Sequence, residues 1–142
     1  MSNADVTAQT HDEPIKVLLV DEHEHVLWGL SKLIDGEWPR MMVIGVSKDM
    51  AHARVLVEAR APDVVVLDMD VGGNSAVETL LAAFSSGRSE VVVHTSVRDG
   101  ALRERAMLAG ARSVIDKEAP AAMLLREIER VYRERRPPNA AP

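Results

Sequence analysis

The chain has no cysteine. Disulfides and thiolate metal sites are thereby excluded, and an intracellular life fits. It also has no long apolar run. Nothing approaches the roughly 18 residues that a membrane span requires, and no signal-peptide pattern opens it, so no membrane segment and a cytoplasmic location are expected. Positive charge is in deficit: 17 Lys and Arg stand against 22 Asp and Glu, for a net charge of −5. That balance argues against direct nucleic-acid binding by this segment. Repeats and low-complexity tracts are absent too. What is present is ordinary for a globular domain: 142 residues, 46% hydrophobic and 27% charged, enough for one domain with a core of its own.

From Ile15 onward short apolar runs alternate with longer amphipathic stretches. "IKVLLV" (Ile15–Val20), "MMVIGV" (Met41–Val46), "VVVL" (Val64–Leu67), "VVV" (Val91–Val93) and "RSVID" (Arg112–Asp116) are strand candidates. The continuous β-branched run at Val64–Leu67 suits a central parallel strand buried on both faces. Helical spacing recurs at Val26, Leu27, Leu30, Leu33 and Ile34, with Gly36 closing that helix. It returns from about Asp49 to Ala59 before Pro62, at Val77, Leu80, Leu81 and Phe84, from about Asp99 to Ala109, and from about Ala119 to Arg135. Five βα units in so short a chain predict an α/β, flavodoxin-like three-layer sandwich with a five-stranded parallel sheet in the order 2-1-3-4-5. The domain is expected over residues 14–135. Residues 1–13 read as a leader without structure, and residues 136–142, within "RRPPNAAP", as a tail or the start of a linker.

In such sheets function sits beyond the carboxyl ends of the strands. Strand one ends in Asp21 and Glu22, strand three in Asp68 with Asp70 two residues on, strand four in His94, Thr95 and Ser96, and strand five in Asp116 and Lys117. An Asp or Thr just past a strand is often only a helix cap. An acid pair, an acid, a hydroxyl and a lysine on four strand ends is a less ordinary set. Carboxylates crowded into one volume repel and raise each other's pKa, so they persist best around a cation. Oxygen ligands favour a hard one, of which Mg2+ leaves room for a phosphate. With a hydroxyl and a lysine added, these are the parts that hold a phosphoryl group in line with a carboxylate nucleophile.

The pattern resembles the receiver domain of two-component response regulators from Ile15 to about Arg135. "LLVDEH" is similar to that family's acidic-pair motif, "VVVLDMD" to its phosphoacceptor strand, "VVVHTS" to its switch-hydroxyl strand and "SVIDKE" to its lysine strand. "IKVLLVDEH" followed by "HVLWGL" is most similar to the NarL/FixJ-type branch. The resemblance implies that Asp68 accepts phosphate from a histidine kinase or phosphotransfer protein. It implies Mg2+ held by Asp21, Glu22, Asp68 and the backbone carbonyl of Asp70, with Thr95 and Lys117 binding the phosphate. The only enzymatic work implied is self-phosphorylation and autodephosphorylation. A homodimer through the last two helices and strands is the expected association. The chain would act as a stand-alone regulator or as the N-terminal part of a transcription regulator.

Several positions depart from the family pattern. Gly72 stands where proline is usual, Ala76 where glycine is usual, Glu22 where aspartate is commoner, and Glu118 follows the lysine. Val114 replaces the aromatic residue whose inward swing commonly couples phosphorylation to a surface change. The side chain of Asp70, at the mouth of the site, is expected to tune the lifetime of the phosphoaspartate by repelling or orienting the attacking water.

Two other functions compete. "VVVLDMDVG" resembles the first motif of haloacid-dehalogenase-type phosphatases, but in those the nucleophile strand comes early and a further acidic motif follows the lysine. A phosphorylation-independent interaction module fits Val114 yet leaves Asp21, Asp68, Thr95 and Lys117 without a purpose. His23 and His25, two apart, do not face the same way on a helix. They are read as loop or first-turn residues, not as a metal site. His94 is expected to turn away from the site into packing, and Trp28 and Trp38 to be packing residues. The alternating charges of Arg126–Arg136, with Ile128, Val131 and Tyr132 interleaved, read as an amphipathic helix with a solvated face.

Overall fold

A computed structural model describes residues 13–71 and 89–135. Its strands are β1 (Ile15–Val20), β2 (Met41–Ser47), β3 (Val64–Leu67), β4 (Glu90–Thr95) and β5 (Ser113–Asp116). Its helices are α1 (Glu24–Asp35), α2 (Met50–Arg60), α3 (Gly100–Leu108) and α4 (Ala121–Arg133). The strands form one parallel sheet in the order β2-β1-β3-β4-β5, the flavodoxin-like order expected from the sequence. The helix expected around Val77–Phe84 lies outside the described residues, as do Gly72, Ala76, the leader and the tail.

Strand alternation sorts the core into two halves. Leu18, Val20, Val65, Leu67, Val91 and Val93 pack against Ala53 and Leu56 of α2 and Leu102 and Ala106 of α3. Val17, Leu19, Val64, Val66 and Val92 pack against Leu27 and Ile34 of α1 and Leu124, Ile128 and Val131 of α4. All four residues of β3 are buried, and each such side chain stabilises the fold by about 1.5–3 kcal/mol. Asp49 and Asp99 cap α2 and α3, accepting from His52 N–H and Ala101 N–H. At the end of α3, Gly110 takes φ 119°, a conformation open to glycine and few others, and so turns the chain into β5.

Two expectations need correcting. Trp28 and Trp38 are surface residues, 68% and 62% exposed. The inward stripe of α1 runs through Leu27 and Ile34, so Trp28, one residue on, is rotated about 100° away. Its ring carries Lys32 Nζ at 5.5 Å instead of core neighbours. The second correction is that β4 begins before its apolar run, at Glu90; at its other end it runs through His94 to Thr95, as read from the sequence. Glu90 is held by Arg112 at 3.2 Å, and Thr95 is in register with Asp116 of β5.

Topology positions the site. β1 and β3 are neighbours, with Val20 in register with Leu67. The next residues of the two strands are Asp21 and Asp68, so both carboxylates leave the sheet side by side. Backbone bonds prolong the ladder one step further: Asp21 N–H to Ser47 O (3.0 Å), Asp68 N–H to Val20 O (2.9 Å) and Lys117 N–H to Thr95 O (2.9 Å).

Candidate functional site

Asp21, Asp68 and Thr95 are buried to within 2% of full enclosure, in a wall of valines and leucines. Local bonds aim them. Asp21 Oδ1 accepts from His23 N–H (2.9 Å), Asp68 Oδ1 from Asp70 N–H (3.2 Å) and Thr95 Oγ1 from Val97 N–H (3.0 Å). In each case the partner amide lies two residues on, the geometry of Asx and Ser/Thr turns. A local turn bond thus fixes each of these strand-end side chains.

Lys117 bridges the acids. Its Nζ lies 2.8 Å from Asp21 Oδ2 and 3.2 Å from Asp68 Oδ2. Those two oxygens are sealed from solvent, and Lys117 approaches them as a point charge without a well-directed hydrogen bond. One ammonium facing two buried carboxylates leaves an excess negative charge. That donor set fits a divalent cation, whose ligands would include Asp21 and Asp68. Among the described residues, the groups able to hold a metal are Asp21, His23 and Asp68, with ligand atoms all within 4.8 Å of one another. Glu22 is exposed and lies outside that group.

The charges separate in a way that matters chemically. Burial raises the pKa of Asp21, but Lys117 and the His23 amide and ring outweigh it, and the carboxyl ends below its usual value. Burial also raises Asp68; there the Asp70 amide and Lys117 do not outweigh burial and repulsion from Asp21, and the pKa stays raised. Lys117 is pulled down by burial, yet its two carboxylates hold it above the ordinary lysine value. Asp21 is thus the firm anion and Asp68 the strained one, destabilised as a free carboxylate and relieved by any change that removes its charge.

Behind Thr95 lies a cavity of about 240 Å³ lined by Thr95, Val97, Arg103, Val114 and Asp116 among others. Val114 is buried in its wall and does not fill it. Arg98 closes the rim, paired with Asp116 at 2.9 Å and Glu118 at 2.8 Å.

His94 faces the other half of the core, as alternation predicts. It lines a separate cavity of about 240 Å³ with Leu30, Leu33, Ile115 and Leu124. Its Nδ1 is buried without a hydrogen-bond partner. Burial, helped by Lys117, lowers its pKa from 6.5 to about 4. The unfolded chain therefore binds a proton near pH 6.5 that the folded chain refuses until about pH 4, and stability falls through that window on acidification. His94→Phe is expected to spare the domain about 2 kcal/mol of the loss between about pH 7 and pH 4.5. Urea titrations at the two pH values check this; parallel acid losses in both proteins would refute it.

A profile of the response regulator receiver domain matches residues 17–129. Over 120 residues the chain is 32% identical to the DNA-binding transcriptional activator DevR/DosR of Mycobacterium tuberculosis, covering 82% of this chain and 54% of that protein. Over 109 residues it is 31% identical to the transcriptional regulatory protein LiaR of Bacillus subtilis, covering 76% and 51%. The chain thus spans about half the length of these curated relatives. Among solved structures, a LuxR-family two-component response regulator from Aurantimonas superposes with a TM-score of 0.78 at 27% identity, over 87% of this chain and 89% of that one. The response regulator domain of Thermotoga maritima CheB does so at 0.76 and 25%, over 92% and 100%.

Proposed function

Since this chain belongs to the response regulator receiver family, we propose that Asp68 is its phosphoacceptor, taking a phosphoryl group from a histidine kinase or phosphotransfer protein in a Mg2+-dependent reaction. The observation that carries this is the strained carboxylate of Asp68, flanked by Asp21 and by Lys117 at 3.2 Å. An oxygen of Asp68 attacks phosphorus, the bond from phosphorus to the donor nitrogen breaks, and the imidazole leaves with the electron pair. The acyl phosphate formed moves negative charge outward, onto oxygens that Lys117 and the Thr95 hydroxyl are placed to receive. A bound cation supplies charge neutralisation for those oxygens. Asp21 and Asp68 would hold it, with the Asp70 carbonyl. Catalysis is confined to this self-phosphorylation and its reversal by water. The test is intact mass after incubation with acetyl phosphate and Mg2+. One added phosphoryl group in wild type and none in Asp68→Asn is expected; none in either protein would favour a phosphorylation-independent interaction module.

We assign the receiver to residues 14–135, with leader and linker on either side, and place its work in the cytoplasm. Among the described residues no helix is long and apolar enough to cross a membrane. The DNA-binding role in the name DevR/DosR belongs to that protein; here it supports a place at the head of a transcription regulator, with this segment itself not touching DNA. Asp70 presents its amide to Asp68, which leaves its carboxylate to act on water. Asp70→Ala is expected to change the phosphoaspartate half-life severalfold. Equal half-lives would remove that role.

Homodimerisation is proposed through α3, β5 and α4. The groove there, about 680 Å³, has Met107 and Met123 in its walls, but Arg103, Arg112, Arg126, Arg130 and Arg133 line it against only Glu127 and Glu129. Arg112 is neutralised by Glu90 (3.2 Å) and Arg130 by Glu127 (2.8 Å) and Glu134 (3.0 Å), so a two-fold pair would bring together the remaining charge of Arg103, Arg126 and Arg133, and association should tighten as salt screens that repulsion. Sedimentation at low and moderate salt reads this directly, and dimers that weaken with salt would point to an anionic partner for the groove.

A further inference from the structure

The cavity beside His94 lies between α1, α4 and the ends of β4 and β5. Its floor is buried and consists of His94, Ile115 and Leu124, while His25, Gly29 and Ala121 stand exposed at its mouth. Interiors packed to crystal density leave few such spaces, and this one has a polar atom at its base. His94 is 7% exposed, yet its Nδ1 has no hydrogen-bond partner among the described residues. An imidazole nitrogen buried unpaired destabilises a fold. It does so here directly after Val91, Val92 and Val93, on a strand where an apolar side chain would pack at no such penalty. Gly29, at the mouth, is the second anomaly. It stands in the interior of α1, where glycine weakens a helix relative to alanine. Crowding does not call for it, since a Cβ there would meet no neighbouring atom within 4 Å. A larger side chain at this position would stand at the entrance of the cavity.

From these two features we propose that the cavity is a binding site for a small neutral molecule of the alkylphenol kind, with an apolar body of one ring and a single hydroxyl that bonds His94 Nδ1. The volume sets the size. An apolar cavity of about 150 Å³ accepts benzene, so about 240 Å³ admits a ring with a short alkyl substituent and is too small for a drug-sized ligand. Leu30, Leu33, Ile115 and Leu124 supply the apolar contact. Neutrality follows from the charges in the lining. Lys117 Nζ is engaged by Asp21 and Asp68, and Asp116 by Arg98, so neither is free to hold a ligand ion. His94 itself stays uncharged until about pH 4. A hydroxyl answers a neutral imidazole whichever nitrogen carries the proton, because it both donates and accepts. The site does not rest on the assignment of Asp68 as phosphoacceptor.

The experiment titrates wild type, His94→Phe and Gly29→Leu with para-ethylphenol and with ethylbenzene, its counterpart lacking the hydroxyl, by calorimetry and by Tm. Wild type should bind para-ethylphenol with a Kd below about 1 mM. It should bind ethylbenzene roughly three- to tenfold more weakly, the difference one net hydrogen bond makes. His94→Phe keeps a ring in the floor but loses the nitrogen, so it should still bind ethylbenzene and no longer prefer the phenol. Gly29→Leu should weaken both compounds by at least about tenfold, and its Tm without ligand should exceed that of wild type because a helix-interior glycine has been replaced. That higher Tm shows the blocked protein to be folded. Failure of wild type to bind either compound overturns the site. So does binding that Gly29→Leu leaves unchanged, which would put the compounds elsewhere. Equal affinity for the two compounds in wild type, or a preference for the hydroxyl that survives in His94→Phe, would likewise remove His94 as the recognising group and the proposal with it.

Discussion

Lys117→Met is expected to cost the fold about 3 kcal/mol near neutral pH. Methionine keeps the length and much of the packing of the lysine stem, so the loss is chiefly of charge. Asp21 and Asp68 are 2% and 1% exposed, and neither can recover in water what the ammonium supplied. The pH dependence identifies the cause. Lys117 has a raised pKa, so its contribution is complete below the unfolded lysine value and is lost only as pH climbs past the folded one. Asp21 has a lowered pKa, so its contribution is present above the unfolded aspartate value and is lost as pH falls through the folded one. Removing Lys117 abolishes both terms. The two acids in the variant then take up protons more readily than in the unfolded chain. The gap between variant and wild type should therefore be widest near pH 7 and close as pH drops below about 5. Denaturant titrations across that range decide it; a gap below about 0.5 kcal/mol at neutral pH, or one that widens in acid, would mean Lys117 is a dispensable surface charge.

Asp68→Asn is expected to do the opposite to stability while abolishing phosphate uptake. Here the folded pKa lies above the unfolded value. Between the two the folded state holds the proton more tightly, and above both it carries a constant penalty for ionisation. Asparagine removes that penalty, keeps an oxygen for the Asp70 amide, and leaves Lys117 to Asp21 alone. The gain should be about 1 kcal/mol near neutral pH, several degrees in Tm. A variant that labels no phosphate yet melts higher would mark Asp68 as a residue held at a cost in stability for its chemistry. One that melts lower would mean the lysine pair outweighs the strain.

Much of this was legible in the chain, for stated physical reasons. β3, and β1 from Val17 to Val20, are read from unbroken β-branched and aliphatic runs, because a strand segment buried on both faces leaves no room for polar residues. The meeting of Asp21 and Asp68 follows from strand order, since adjacent parallel strands deliver their ends to one place. The start of β4 was not readable, because Glu90 is kept in the ladder by partners on other elements. Trp28 was misplaced because an apolar side chain beside a helical stripe looks like part of it. His23 was read as a loop or first-turn residue, and it stands at the N-terminal boundary of α1. Its position is set by a single amide bond in a turn, and the only trace of that in sequence is an acid two residues before it.

That bond has a counterpart at the ends of β3 and β4. Asp21, Asp68 and Thr95 take their bearing from the amides of residues 23, 70 and 97, not from helices farther along the chain. The consequence lies in what may be rewritten. Helices and loops beyond those three amides are not what aims these three side chains, so this part of the site is a set of tripeptides on a sheet, to which β5 adds Lys117 through its own bond to Thr95 O. The spelling at its edges is constrained in one respect only: each third letter must carry an amide hydrogen, and proline has none.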